Sequence, residues 1–301
     1  MAAPLPVRVC ALILLVLLSC TGESSPEAQP YEVQEVVIPV DSFYSYSFIP
    51  FTGASSVLLS GEKNGYHAIA FIDFDLDTIH YDSLLLEFKF AEPVNGSLFL
   101  KRLEGEWHDT SLSWSDTALM GEVYREVSLS GEDSVKIVVD SSLFEYGFAV
   151  LSNTFLRIEE RSLLAFHGDD KETFHPSQDV YLIDLEGRED TLSGLVLGKG
   201  VPFRVYIHKP EIPSFKAMLH AGLVVITPDS VSIPVEIWGD ERYHTGKIEE
   251  GESEINVYHA IKDSLEGFTI RVQNELDDAW KEEIEVDSMF LYLIYIPEEE
   301  R

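Results

Sequence analysis

The chain has 301 residues but only two cysteines, Cys10 and Cys20, both in its first twenty positions. The rest of the protein therefore has no disulfide framework, no thiol nucleophile and no cysteine-based zinc site. Basic residues are also scarce, with 21 Lys and Arg against 53 Asp and Glu and a formal charge of −32. Phosphate backbones are held by clustered Lys and Arg, so nucleic acid is excluded as a partner. An anionic lipid surface would repel the body for the same reason. Apart from Val9 to Leu18, a run of ten that is too short to span a bilayer, no stretch is apolar enough to cross a membrane. The nine histidines are scattered; His167 and His175 are near each other, but none sits in an H-E-x-x-H set. No serine lies in a G-x-S-x-G elbow, Gly198-Lys-Gly200 lacks the pattern of a phosphate loop, and no EF-hand spacing occurs. What the chain does have is apolar substance: 45% of it is hydrophobic and 11% aromatic, enough for a globular body with acid on its surface.

Residues 1–19 read as an export signal, with Arg8 as the only charge before the apolar run. Leu17-Leu18-Ser19-Cys20 resembles the bacterial lipobox, in which the cysteine is acylated and becomes the first residue of the mature protein; the alternative is an ordinary secretory signal that contains cysteine. The small, polar, proline-containing stretch 20–33 then serves as a flexible tether. Losing Arg8 with the signal leaves 20 basic and 53 acidic residues, a net charge of −33. The expected location is the bacterial cell envelope, anchored to the membrane through lipid, on the outer membrane if the cell has two.

Alternation of period two dominates the chain beyond the tether. In Phe43–Phe48 it sets Tyr44, Tyr46 and Phe48 on one face and small serines on the other, and in Phe71–Asp77 it separates Ile72, Phe74 and Leu76 from the aspartates. Further strand-like runs include Leu84–Phe90, Ser97–Leu103, Val135–Asp140, Phe148–Leu151 and Val180–Leu185. Asn64-Gly65, Asn95-Gly96, Gly131-Glu132 and Gly168-Asp169 carry turn signals. Ser141–Tyr146 and Tyr258–Leu265 read as short helices or turns. The class is all-β, an antiparallel β-sandwich or jelly roll. The strand plan also occurs twice. Val135–Val150 aligns without gaps on Ile255–Ile270, Ala70–Phe74 on Val205–Lys209, Leu84–Phe88 on Gly222–Ile226, and Val180–Asp184 on Leu291–Tyr295. This predicts tandem modules at 34–188 and 189–298, the second shorter and degenerate; one extended sandwich is the alternative.

Trp107-His-Asp-Thr-Ser-Leu-Ser-Trp114 is the most distinctive segment. It resembles the W-x-E-x-x-V-T-W segment of the DNRLRE family, secreted β-sandwich modules related to carbohydrate-binding modules of alginate-degrading enzymes. Ser56–Glu62, Ala70–Leu76, Ser83–Leu86, Val138–Ser141 and Phe166–Asp169 resemble further strands and turns of that family, covering about residues 38–186. The chain departs from the pattern in lacking the Ser-Arg pair of the last loop and a second tryptophan seven residues from Trp238. The resemblance implies a binding module rather than an enzyme.

Two readings stand for each candidate site. Trp107 and Trp114 plug the end of a sandwich, or one ring lies open as a sugar-stacking platform; Tyr44 and Tyr46 are core, or a second aromatic strip. Asp73, Asp75 and Asp77 share a strand face, with Glu87 as a neighbour, and offer hard oxygen ligands for Ca²⁺ or simply a solvated face. No other cofactor is implied, and no carboxylate pair stands out for glycoside hydrolysis. Three functions compete: a lipid-anchored surface protein that binds glycan or mediates adhesion, a structural lipoprotein that pairs with an envelope protein, and a polysaccharide-degrading enzyme. The acid excess would repel a polyanion, so a neutral glycan is the expected ligand. The lipid-anchor reading predicts that Cys20→Ser moves the protein from the membrane to the soluble fraction; retention on the membrane would contradict it.

Overall fold

The computed structural model describes residues 32–53, 55–76, 81–239, 242–263 and 266–298, without the side chains of 242 and 243. Cys10, Cys20 and most of the tether lie outside the described residues. Among the described residues no helix is long and apolar enough to cross a membrane. The strands are β1 (Gln34–Pro39), β2 (Phe43–Ser47), β3 (Leu58–Lys63), β4 (Tyr66–Asp73), β5 (Ser83–Leu103), β6 (Met120–Val139), β7 (Phe148–Ser152), β8 (Leu156–His167) and β9 (Asp170–Phe174). They continue with β10 (Gln178–Leu185), β11 (Thr191–Leu192), β12 (Leu195–Lys199), β13 (Phe203–His208), β14 (Phe215–Trp238), β15 (Arg242–Asn256), β16 (Gly267–Val272), β17 (Trp280–Ile284) and β18 (Ser288–Pro297). The two segments read as helices or turns form a 3-10 turn at Ser141–Phe144 and the short helix α1 (Tyr258–Asp263).

The fold is all-β and antiparallel throughout, arranged in two sheets. The first sheet closes on itself. β5 pairs with β7, β7 with β4, β4 with β3, β3 with β8, and β8 returns to β5. The alternation in β5 turns Leu84, Leu86, Phe88 and Phe90 inward, where they meet Phe148, Leu156 and Ile158 in one apolar core. β8 closes the ring because it is long enough to pair with β3 through Leu156–Ile158 and with β5 through Ile158–Phe166.

The turn signals divide into two kinds. Asn64 and Gly65 have positive φ (53° and 83°) and link Lys63 directly to Tyr66, as a two-residue hairpin turn requires. Asn95-Gly96 and Gly131-Glu132 are not turns: they lie inside the long β5–β6 hairpin, where the register shifts between Lys89 and Asn95. Glycine within a strand marks a bulge as readily as a turn. Here it lets β5 bend from its β8 partner to its β7 partner.

The second sheet repeats this plan. Ala70 faces Val150 and Ile72 faces Phe148 in the first sheet; Val205 faces Ile270 and Ile207 faces Phe268 in the second. β5, β6, β7 and β4 thus correspond to β14, β15, β16 and β13. Two of the sequence alignments need correction. Phe88 pairs with Val135 and Leu223 pairs with Ile255, so Phe88 corresponds to Leu223 and not to Ile226. Leu223 to Ile226 are apolar on both faces, and alternation cannot fix a register there. β18 corresponds to the second half of β8, not to β10, since it pairs with the first half of β14. The first half of β8 is matched by β17, which pairs with β12. Residues 285–287 break what is one strand in the first sheet into two.

The place of β10 beside β4 is taken in the second sheet by β2, which pairs with β13, and the place of β9 by β1, which pairs with β18. The sequence pattern groups 34–188 as one module; hydrogen bonding instead places the first two strands in the second sheet. A chain segment can complete whichever sheet offers an unpaired edge, and neighbours in sequence carry no vote.

The two sheets meet through β10. Tyr181 and Ile183 pack with Val196, Val201, Phe203 and Ala279 in a continuous core. The 274–279 segment locks the junction: the Leu276 carbonyl accepts from the Tyr181 hydroxyl (2.7 Å) and from Ser55 (3.2 Å), and the Asp277 carbonyl accepts from Arg157 (2.8 Å). Lys63 reaches Asp278 (3.0 Å) and Lys199 reaches Asp277 (2.7 Å). Burial, followed by the nearby Asp277 charge, raises the Tyr181 phenol far above its usual range, so it stays protonated and keeps the proton that it donates to the Leu276 carbonyl.

The outer face of the first sheet is apolar, carrying Ile69, Phe71, Ala149, Leu151, Val180 and Leu182. It is covered by Leu103 at the end of β5 and by the connection between β5 and β6, whose Trp107, Leu112, Trp114 and Leu119 fold back on it. Trp107 is 6% exposed, meets Phe71 edge-on at 5.8 Å and donates its indole N–H to the Tyr146 carbonyl at 2.8 Å. Trp107→Ala should lower unfolding stability by about 3–5 kcal/mol in urea melts; a loss below about 1 kcal/mol would mean the connection does not hold this face.

Candidate functional site: the open face of the second sheet

Register identifies the outer face of the second sheet position by position. Phe71 corresponds to Tyr206, Ile69 to Arg204, Ala149 to Thr269, Leu151 to Arg271, Val180 to Tyr44 and Leu182 to Tyr46. Every apolar position of the covered face is therefore aromatic-polar or polar on this one. Its covering connection is missing as well: Trp238 pairs in register with Arg242, so only 239–241 lie between β14 and β15. Phe71 is fully buried, whereas Tyr206 and Tyr46 are half-buried and Tyr44 is 37% exposed.

The alternation of β2 sends the side chains the way opposite to a tyrosine core. Ser45 and Ser47 are the buried ones. The Ser45 hydroxyl donates to the Gly194 carbonyl (2.8 Å) and accepts from the Val196 amide (2.8 Å), while Ser47 donates to the Glu189 carbonyl (2.7 Å). These small side chains satisfy the backbone of the incoming 189–196 segment, which a tyrosine would displace. The rings turn outward, where a wet hydroxyl and an apolar body both find a place.

Across the strands the rings form a patch. Tyr44 lies 5.6 Å from Tyr206 and 5.9 Å from His208, Tyr206 meets His208 at 4.9 Å, and Tyr46 stacks along Phe48 at 6.5 Å. The Tyr206 ring lies across Gly267, where a Cβ would come within 2.8 Å of it. Burial, then the charge of Glu266, raises the Tyr206 phenol, which stays a neutral donor and acceptor.

Charged groups continue the patch towards the junction. Glu275 accepts from Arg204 through two bonds of 2.9 and 2.6 Å, and Glu236 accepts from Arg271 (3.0 Å) and from the Trp238 indole (2.8 Å). Arg271 lies 3.6 Å from the centre of the Trp238 ring, and Arg204 4.6 Å from that of Phe48. Burial opposes the Arg204 charge, but Glu275 outweighs it and raises its pKa. Two guanidiniums matched by two carboxylates make this area nearly neutral in a protein of net charge −32.

The other candidates fall elsewhere. Trp107 is sealed against Phe71 and offers no ring face to a ligand; Trp114 is half-buried in the same cover. β4 ends at Asp73, so Asp75 does not continue its face, and Asp77 lies outside the described residues. Burial, with Asp75 adding, raises the Asp73 pKa while the Phe74 amide opposes it. Glu87 is not a neighbour of Asp73: β5 is not paired with β4, and Glu87 meets Lys136 at 3.1 Å. Among the described residues no group of three His, Cys, Asp or Glu could hold a metal ion. Asp73 and Asp75 instead line a cleft of about 760 Å³ with Tyr81, Asp140 and Phe144. The Asp140 carboxylate is held below its usual range by Ser142 and Tyr124, which stabilise the charge against partial burial.

Sequence reasoning missed Arg204, Tyr206, Arg271, Glu236 and Trp238 as one surface. The available signal was the alignment itself, since placing Ala70–Phe74 on Val205–Lys209 sets Tyr206 opposite Phe71. Comparison of the chain with known protein families finds no match, and comparison with curated proteins finds none either.

Proposed function

We propose that the protein is a non-catalytic, lipid-anchored surface protein that binds neutral glycans on the open face of its second sheet. The observation that carries this reading is the exchange of six covered apolar positions for tyrosines, arginines and a threonine that no described residue covers. Sugar rings present apolar C–H faces, which stack on aromatic side chains, and edge hydroxyls, which pair with planar guanidinium and carboxylate groups. Tyr44, Tyr46 and Tyr206 supply the first and the Arg204–Glu275 and Arg271–Glu236 pairs the second. The four strands β2, β13, β16 and β14 set this surface about 14 Å across, enough for a short run of sugar units. Local neutrality favours an uncharged ligand, and the acid elsewhere discourages a polyanion.

The resemblance of Trp107–Trp114 to DNRLRE modules supports a binding role, though the tryptophans themselves serve as cover in the first unit. Both carboxylates of the face are taken up by arginines and position them, which argues against their use as an acid–base pair. The anchor at Cys20 joins a tether that leads into β1, an edge of the second sheet. Fourteen residues reach at most about 45–50 Å when fully extended, so the tether would join the body at the β1 edge of the second sheet.

A glycan array probed with the protein lacking residues 1–20 should show binding to neutral polysaccharides. Replacing Tyr44 and Tyr206 together by Ala should weaken it about five- to a hundredfold, at roughly 0.5–1.5 kcal/mol for each lost ring contact. No binding to any glycan would defeat the reading and leave the envelope-protein alternative.

A further inference from the structure

The aromatic face does not end at Trp238. Arg271 and Glu236 also line a cleft of about 540 Å³ at the junction of the two sheets. Glu275 and Asn274 continue its second-sheet side, and Arg157 and Ser56 come from the first. Its size lies within the roughly 300–1,000 Å³ of small-molecule sites, which favour the boundaries between units. Its lining mixes donors and acceptors of both charge signs. The 274–279 segment that forms one wall is tied to the first sheet by Tyr181, Ser55 and Arg157. The walls are thus fixed before any ligand arrives.

We infer that this cleft is a second subsite for the glycan, taking an uncharged sugar residue that extends from the aromatic face, so that one ligand contacts both units. The inference rests on the glycan-binding reading above. It assigns Arg157 a role in chain-length specificity: its Nε donates to the Asp277 carbonyl, and its planar guanidinium borders the space where a ring with adjacent hydroxyls would sit. Arg271 serves both subsites, with Trp238 against its face and the cleft at its edge.

Calorimetric titration of the full mature chain with cello-, xylo- and manno-oligosaccharides, from disaccharide to hexasaccharide, separates the possibilities. In the unaltered protein, affinity should rise about tenfold for chains long enough to reach from face to cleft. Ser56→Trp fills the cleft from an exposed position without removing a side-chain contact; it should erase that increment and leave the short oligosaccharides unchanged. Arg157→Lys, which keeps the charge but loses the fork and the bond to the Asp277 carbonyl, should do the same in part while the short oligosaccharides still bind, which shows that the open face is intact. If Ser56→Trp binds every length as the unaltered protein does, or loses short and long chains alike, the second subsite is wrong while the open face still stands. If the unaltered protein binds none of these series or any glycan on the array, the reading of the face fails and the subsite with it.

Discussion

A β-sheet has two faces, and a face left in water must be made of groups that water accepts. That constraint organises the whole chain. Both sheets bury one face in a core of alternating Leu, Ile, Val and Phe, and the cores are built alike. They differ in how the other face is handled. The first sheet keeps it apolar and uses the long β5–β6 connection to cover it, with Trp107 seated on Phe71. The second has a short β14–β15 link and, among the described residues, no cover, and its outer positions carry tyrosine, arginine and threonine. Covering one face gives stability. Leaving the equivalent face open keeps aromatic rings and paired charges within reach of solvent.

The two units are also built to stay together. β1 and β2 belong to the second sheet, the chain then builds the whole first sheet from β3 to β10 and returns to finish the second, so the second sheet is made from two segments that flank the first. Tyr181 is buried between them, and its hydroxyl holds the segment on which Glu275 stands. Glu275 in turn fixes Arg204 beside Phe48 and Tyr46. The side chains of the open face therefore inherit their positions from the junction, and a site set on such supports loses little freedom when a ligand binds.

Much of this is legible in the chain. Period-two alternation identifies the class and most strands, and the gapless match of Val135–Val150 with Ile255–Ile270 points to a duplicated plan with Gly147 and Gly267 in equivalent places. Where alternation fails, register fails: Leu223–Ile226, apolar on both faces, aligns three places off. Pairing partners distant in sequence leave no local trace, so nothing in Phe43–Ser47 says that β2 joins β13 rather than a strand of its own neighbourhood. The same gap hides the face of Tyr44 and Tyr46, because small buried serines look like a solvent face until the 189–196 backbone that they satisfy is in view. Trp107 and Trp114 draw attention as rare residues, yet their role is to shield.

The central claim is that two equivalent sheet faces are used in opposite ways, one sealed and one open. Hydroxyl-radical footprinting read by mass spectrometry compares them directly within one sample. Tyr44, Tyr46 and Tyr206 should oxidise rapidly, and their counterparts Val180, Leu182 and Phe71 should be protected together with Trp107, relative to the intrinsic reactivity of each side chain. Equal protection of the two sets, or faster oxidation of Trp107 than of Tyr44, would contradict the claim.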